Sequence, residues 1–235
     1  MTVLSDIRID IDVNDVLKIM GYRGERQAPK RIASAAEEAK ARCLDLIEPR
    51  SVYEVYDISG IGEGVVSLNG SRFRGKVLQR VLTGSRRAVV FVATMGGTID
   101  DEIKRLIDGG DTFSAVMLDT FGSVALGVAS VSFYEKILEL EGAPGGYGLT
   151  PSFGPGECRW DIREQRELFT LVNAGSIGVT LTETCLMIPK KSRSGIMGLG
   201  PAEEISHASP CDLCDTKDCP GRDMLEILGI IGTKP

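Results

Sequence analysis

The spacing of apolar residues predicts a mixture of short helices and strands in the first hundred residues. Apolar side chains recur at helical intervals over Val13–Met20 and again from Ile32 to about Glu48, which predicts two amphipathic helices. Val52–Ile58 alternates in the manner of a strand, and Ala88–Ala93 is a continuous apolar, β-branched run typical of a buried strand.

A long helix is predicted over Thr112–Glu141, with Asp111 as its cap. Asp119 falls near the buried stripe of this helix, which is unusual for an unpaired carboxylate and makes it a candidate site residue. The helix also has a small-residue surface, which favours either close packing or the approach of a flat ligand or another chain: Gly122, Ser123, Ala125, Gly127, Ala129 and Ser130.

The pattern of the remaining elements favours an α+β fold. They are a helix from Thr98 with Asp101 in a near capping box, a helix from Asp161 to Gly175, a strand over Leu181–Ile188 and a returning strand over Gly195–Leu199. Helices and strands are mixed without steady βαβ alternation, which favours a mainly antiparallel sheet with flanking helices. We divide the chain into a helical segment, residues 1–50, and an α+β domain, residues 51–235.

Composition and charge exclude several classes of protein. Hydrophobic residues make up 43% and charged residues 26%, as in ordinary soluble proteins, and no apolar run approaches the roughly 20 residues that span a bilayer. The acidic start, with Asp6, Asp10 and Asp12, is unlike a secretory signal, so a cytoplasmic location is expected. The net charge of −6 argues against non-specific nucleic-acid binding, and the single histidine, His207, excludes sites with several His ligands.

Three cysteines near the C-terminus have the spacing of metal ligands. They are Cys211, Cys214 and Cys219, and a two-residue gap lets two thiolates converge on one metal. Four thiolates select zinc or an iron–sulfur cluster, and Cys158 is the natural fourth ligand because it lies in a stiff loop before a helix. Free thiols are the alternative. The Pro220 that follows the last cysteine favours a 4Fe–4S cluster over zinc.

The stiff loop is Pro151–Trp160, with the sequence PSFGPGECRW and the chain's one Trp. Its second half, the helix that follows with Gln165 and Leu168-Phe169, and the segment Gly178–Gly195 (GVTLTETCLMIPKKSRSG) together carry a resemblance. They resemble the activation domain of cobalamin-dependent methionine synthase and, more closely, the stand-alone homologues of that domain. The clear resemblance covers about residues 150–200.

The resemblance implies an α+β fold with a twisted antiparallel sheet. It also implies that S-adenosylmethionine binds in a shallow groove and that the domain contacts a cobalamin domain, so that cob(II)alamin is reduced and methylated. The family's Arg-x-x-x-Gly-Tyr motif places Ser152 at the Arg position and Glu157 at the Tyr position, and Arg159 would have to replace the guanidinium. The family's helical Asp matches Asp119, whereas its Glu position is Ser123. The implied ligand-binding residues are Asp119, Ser152, Gly154, Gly156, Glu157 and Arg159.

The expected function is therefore that of an accessory or activation protein for a corrinoid-dependent methyltransferase, related to methionine synthase. A cluster held by Cys158, Cys211, Cys214 and Cys219 would relay an electron to the cobalamin of a partner protein, on which the chain would dock through the Pro151–Trp160 loop and the small-residue helix surface. The alternative is a non-catalytic small-molecule or partner-binding module with a structural zinc site. A methyl-transfer subunit using S-adenosylmethionine would lack the motif's Arg and Tyr.

Overall fold

A computed structural model describes residues 1–5 and 7–232. Asp6 of the acidic start and the last three residues of the predicted second domain lie outside them. The helices are α1 (Val13–Ile19), α2 (Lys30–Leu46), α3 (Lys76–Val81), α4 (Thr98–Asp108), α5 (Thr112–Ile137), α6 (Gln165–Leu171) and α7 (Pro220–Ile227). The strands are β1 (Thr2–Leu4), β2 (Arg50–Gly62), β3 (Val65–Leu68), β4 (Ser71–Arg74), β5 (Arg87–Thr94), β6 (Tyr147–Leu149), β7 (Thr180–Leu181), β8 (Met187–Ile188) and β9 (Ser192–Pro201).

The strands form a seven-stranded sheet in the order β4-β3-β2-β5-β9-β6, with β1 added beside β2. Every strand pairing in it is antiparallel. The central strand is β5, where Phe91 lies opposite Tyr53 of β2 on one side and Gly195 of β9 on the other. The predicted α+β class with a mainly antiparallel sheet is therefore confirmed.

The alternation of β5 divides the interior into two apolar cores. Val89, Phe91 and Ala93 face the first core, which is built with α1, α2, α4 and α5. Ala88, Val90 and Val92 face the second core, which includes Trp160 and the apolar sides of α3 and α6. A strand that is buried on both faces has a continuous run of apolar residues. This pattern explains why β5 could be predicted from the sequence.

The long helix α5 lies in the first core. By length and composition alone, the helical stretch Thr112–Gly145 is apolar enough to cross a membrane, contrary to the expectation that no such stretch exists. Phe121, Phe133 and Ile137 of this stretch are buried against the rest of the protein, which is the position of a core helix. This position of α5 agrees with the expected soluble protein.

The small-residue surface of α5 is covered by the protein itself. A Cβ on Gly122 would lie 2.8 Å from the Cδ1 of Ile99 and 3.2 Å from the Cε of Lys191. A Cβ on Gly127 would lie 3.2 Å from Leu228 in the C-terminal tail. Gly122 and Gly127 therefore serve close packing within the protein, and the docking role expected for this surface stays a prediction.

Several predicted boundaries are corrected. Gly97 is the N-cap of α4, so Thr98 is the first helical residue and does not cap the helix. The helix after Asp161 begins as a 3₁₀ turn and ends at Leu171, before the predicted Gly175. The predicted strand over Leu181–Ile188 is instead a small hairpin of β7 and β8 around a turn, and β9 begins earlier than predicted.

The N-terminal segment packs on the same core as the remainder of the chain. β1 pairs with β2, and buried residues of α1 and α2 such as Val16 and Ala36 belong to the first core. The division at residue 50 stays a prediction about sequence units, since both units contribute to this core.

Candidate functional site

The Pro151–Trp160 loop lies directly on strand β9. Phe153 forms an antiparallel bridge with Ile196, with backbone hydrogen bonds of 3.0 and 2.8 Å. A Cβ on Gly154 would lie 2.3 Å from the carbonyl oxygen of Ser194, and one on Gly195 would lie 2.7 Å from that of Phe153. Only glycine permits this close approach of the two backbones, so the loop is held in one position.

A tight turn at the end of the loop orients Cys158. The amide of Trp160 donates to the carbonyl of Glu157 at 2.8 Å, with Cys158 and Arg159 as the two central residues. Their φ angles are +43° and +65°, which place both in the left-handed region that non-glycine residues rarely adopt. Such strain persists only where the surrounding structure fixes it, and it often occurs at functional sites.

Trp160 holds this turn in place. Its ring stacks on Phe153 at 5.1 Å between centroids and meets the edge of Phe73 at 6.0 Å. Its Nε1 donates to Glu164 at 2.7 Å, and the same carboxylate accepts the amide of Arg74 at 2.9 Å. The turn that carries Cys158 is therefore anchored in the second core and cannot move independently of it.

The loop meets the C-terminal cysteine segment at Cys158. Its thiol donates a hydrogen bond of 3.6 Å to the carbonyl of Pro210, the residue directly before Cys211. Burial, followed by the neighbouring thiols, raises the pKa of Cys158. The structure thus brings the predicted fourth cysteine next to the start of the C-terminal cysteine segment.

The C-terminal thiols differ in their environments. Burial raises the pKa of Cys211, against the opposing charge of Arg222. Burial also acts to raise the pKa of Cys214. The interactions of its thiol with Thr216 and then with Cys158 outweigh burial, so the pKa is lowered overall. Cys219 is the N-cap residue of α7, and its charge reaches Cys211. A lowered thiol pKa favours the thiolate, which is the form that binds metals.

No three or more His, Cys, Asp or Glu side chains within residues 1–5 and 7–232 are arranged as a formed metal site. The predicted ligands Cys158, Cys211, Cys214 and Cys219 are therefore not arranged as a metal-binding group among these residues, and their role as ligands stays a prediction. The single His lies elsewhere, bonded to the carbonyl of Ala202. Cys43 and Cys185 are core thiols, with exposures of 0% and 1%.

The residues predicted to hold a small ligand have separate partners. Glu157 accepts the amide of Gly154 at 3.0 Å and pairs with Arg193 at 3.1 Å. Arg159 is exposed and lies 3.5 Å from the equally exposed Asp215. Ser152 lines a cavity of about 20 Å³ beneath α5, roughly the space of one water. Arg193, which the sequence showed only as part of a basic run, is the guanidinium that lies beside the loop.

Asp119 is not near the buried stripe of α5, and its side chain is 53% exposed. It accepts a hydrogen bond of 2.8 Å from the Nζ of Lys191, which also donates to Ser123 at 2.9 Å. Lys191, with 10% side-chain exposure, is the buried member of this group. The ammonium of Lys191 thus joins Asp119 and Ser123, the two helix positions that the resemblance singled out, and no local pattern predicts this contact.

A groove of about 870 Å³ lies away from the loop, between the N-terminal region, α2, α5 and the C-terminal tail. Apolar residues, including Val124, Val128 and Leu228, form part of its lining, together with charged residues such as Asp10 and Lys40. None of the predicted site residues lines it.

Comparison with known proteins identifies the fold. No protein-family model and no curated protein matches the chain. Among solved structures, it is similar to the MetH reactivation domain bound to AdoHcy, with a TM-score of 0.58 and 14% identity over 98% of this chain and 85% of that one. The chain has the reactivation-domain fold. The fold implied by residues 150–200 is thereby confirmed over nearly the whole chain, and at this identity the likeness establishes the fold alone.

Proposed function

We propose that the protein is an activation subunit for a corrinoid-dependent methyltransferase related to methionine synthase. It would act in the cytoplasm on a separate cobalamin-carrying protein and would not itself catalyse methyl transfer. The reactivation-domain fold supports this proposal, together with the local resemblance of the Pro151–Trp160 loop and of Gly178–Gly195.

The hydrogen bond from the Cys158 thiol to the carbonyl of Pro210, directly before Cys211, is the observation that carries the proposal. A strained turn anchored by Trp160 presents one thiol to a segment that brings three more, which is the donor set of a 4Fe–4S cluster or of zinc. When bound, a cluster would accept one electron from a low-potential donor protein and pass it to cob(II)alamin, giving cob(I)alamin. Cys158 lies on the same loop that resembles the family's ligand-binding motif, which supports a common location for the two proposed sites.

The ligand groove is proposed to involve Asp119, Ser152, Gly154, Gly156, Glu157 and Arg159. Glu157 and Arg193 already neutralise each other there, so an S-adenosylmethionine carboxylate would have to compete for Arg193. We therefore infer that S-adenosylmethionine binds weakly or not at all. Isothermal titration measures this directly, and saturable binding at micromolar ligand would contradict the inference.

Anaerobic purification followed by a visible spectrum and analysis of iron, sulfide and zinc tests the proposed function. A brown protein with about four irons and four sulfides per chain is expected. Such protein, reduced and mixed with cob(II)alamin bound to a corrinoid protein, should generate the cob(I)alamin spectrum. Colourless protein without iron would exclude the electron relay. One zinc per chain would instead support the second candidate, a non-catalytic binding module with a structural zinc site.

A further inference from the structure

The C-terminal segment after β9, residues 206–231, is held together mainly by its own contacts. Arg222 donates from Nη1 to the carbonyl of Thr216 at 3.1 Å and from Nη2 to the carbonyl of Cys211 at 3.0 Å. The planar fork of the guanidinium fixes both carbonyls at once. It thereby joins the start of α7 to the loop that precedes this helix, so the segment forms one small unit.

This unit is fastened to the rest of the protein at two separate places. At the first, Leu213 packs on the second core, and the carbonyl of Pro210 accepts the hydrogen bond of 3.6 Å from the Cys158 thiol. At the second, α7 packs on α1 and Leu228 packs on the first core. A Cβ on Gly127 of α5 would lie 3.2 Å from the Cδ1 of Leu228. The unit therefore covers both the strained turn at Cys158 and the small-residue surface of α5.

The attachment of the unit is weak for its length. None of residues 206–231 is buried. From residue 208 onwards, the bond from Cys158 is the only hydrogen bond that joins the unit to the other residues that the structure describes. Segments with few buried apolar contacts and few hydrogen bonds to the remaining structure open at a lower free energy than the core. Because Arg222 ties the two ends of the unit together, they open together.

We infer that residues 206–231 form an autoinhibitory strap, which covers the turn at Cys158 and the surface of α5 at Gly127 and uncovers both when it opens as one unit. The docking expected on a cobalamin-carrying partner uses the same two surfaces, so such a partner would bind the open form alone. This consequence rests on the proposed function, whereas the opening of the strap does not.

The test follows the alkylation of Cys158 by iodoacetamide in the reduced full chain, measured by mass spectrometry of the peptide that contains it. Leu228→Asp places a charge on the first core and releases the α7 end of the strap. If the strap opens as one unit, Cys158 at the other end should react about 10-fold faster than in the parent protein. In the double variant with Arg222→Gln the two ends are no longer tied, so Cys158 should react as it does in Arg222→Gln alone.

Val131→Asp is the matched control, because it introduces the same charge at an apolar position of α5 that is 39% exposed. It should leave the reaction rate of Cys158 unchanged. Cys43, at 0% exposure, reports global unfolding and should remain unreactive in every variant. If it reacts in Leu228→Asp, Leu228→Ala decides the comparison. Equal rates for Cys158 in the Leu228 variant and the control would overturn the inference and would leave the proposed activation role standing, since the experiment involves neither a partner nor a metal.

Discussion

The thiol of Cys158 donates a hydrogen bond of 3.6 Å to the carbonyl of Pro210, although the two residues belong to separate segments of the chain. Cys158 is held in place by Trp160 and the second core, and Pro210 precedes a segment in which Arg222 donates to the carbonyls of Cys211 and Thr216. Leu213, beside Cys214, also packs on the second core. The meeting of the two segments is therefore built into the packing and does not depend on the thiols alone.

Replacement of Cys158 by Ser should remove most of the bound iron, because one of four thiolates is lost and a serine hydroxyl is a poor ligand for a soft metal. Iron and sulfide analysis after anaerobic reconstitution measures the loss. Cys185→Ser is the control, since Cys185 is buried in the β7–β8 region away from the site. Equal iron in the Cys158 variant and the control would show that the four cysteines do not act together.

Replacement of Gly154 by Ala should destabilise the protein by about 1–3 kcal/mol, as expected for overpacking. The new methyl group would lie 2.3 Å from a backbone oxygen of β9, so either the loop or the strand must shift. Thermal or urea denaturation gives the difference. Gly62→Ala serves as the control because its Cβ would meet open space. The close approach of loop and strand would be disproved if both variants were equally stable.

The central strand could be predicted from the sequence because it depends on a local pattern, whereas the metal-binding role of the cysteines stays a prediction. β5 is buried on both faces, which requires a continuous apolar run, and the spacing of Cys211 and Cys214 is itself the signal of converging thiols. The strained turn at Cys158 could not be predicted. It exists because Trp160 is packed between Phe73 and Phe153, which are distant in sequence from each other.

The helix α5 shows why Asp119 was misplaced. Buried residues such as Ala115, Leu118 and Val124 are spread around about half of the circumference of this helix, so the apolar spacing indicates no narrow buried side. Lys191 lies in the basic sequence Lys190-Lys191-Ser192-Arg193, a pattern typical of an exposed surface. Its side chain packs against Gly122 of α5. Because the two residues are distant in sequence, no local sequence pattern predicts this contact.

Removal of Asp119 should lower the stability of the protein more than removal of its partner Lys191. Asp119→Ala leaves a buried ammonium with Ser123 as its remaining partner, and the loss of a hydrogen bond to a charged group costs about 1.5–3 kcal/mol. Lys191→Met leaves a half-exposed carboxylate that water can solvate, and methionine retains the packing, so less than about 1.5 kcal/mol is expected. Urea denaturation of both variants and of the double variant measures the coupling. A larger loss for Lys191→Met would contradict the assigned burial.

Cys43 should make the protein less stable as the pH rises. Its side chain is fully buried, and burial raises its pKa from 9.0 to about 12, only partly opposed by the charge of Lys191. The folded state therefore keeps the thiol proton while the unfolded chain releases it, so the stabilisation is complete below pH 9 and is lost as the pH rises towards 12. The loss approaches about 1.4 kcal/mol per pH unit for one proton.

The measurement is urea denaturation under reducing conditions between about pH 8 and pH 10. Most tyrosine side chains keep their proton in this range, because their ordinary pKa is about 10. Tyr53, whose pKa is also raised to about 12, by burial and then by its hydrogen bond with Glu141, adds to the loss only at higher pH. Cys43→Ala creates a small cavity and lowers the stability by a constant amount, but it lacks the titrating thiol. The difference between the two proteins should therefore shrink as the pH rises. A difference that stays constant would show that Cys43 ionises as readily in the folded protein as in the unfolded chain.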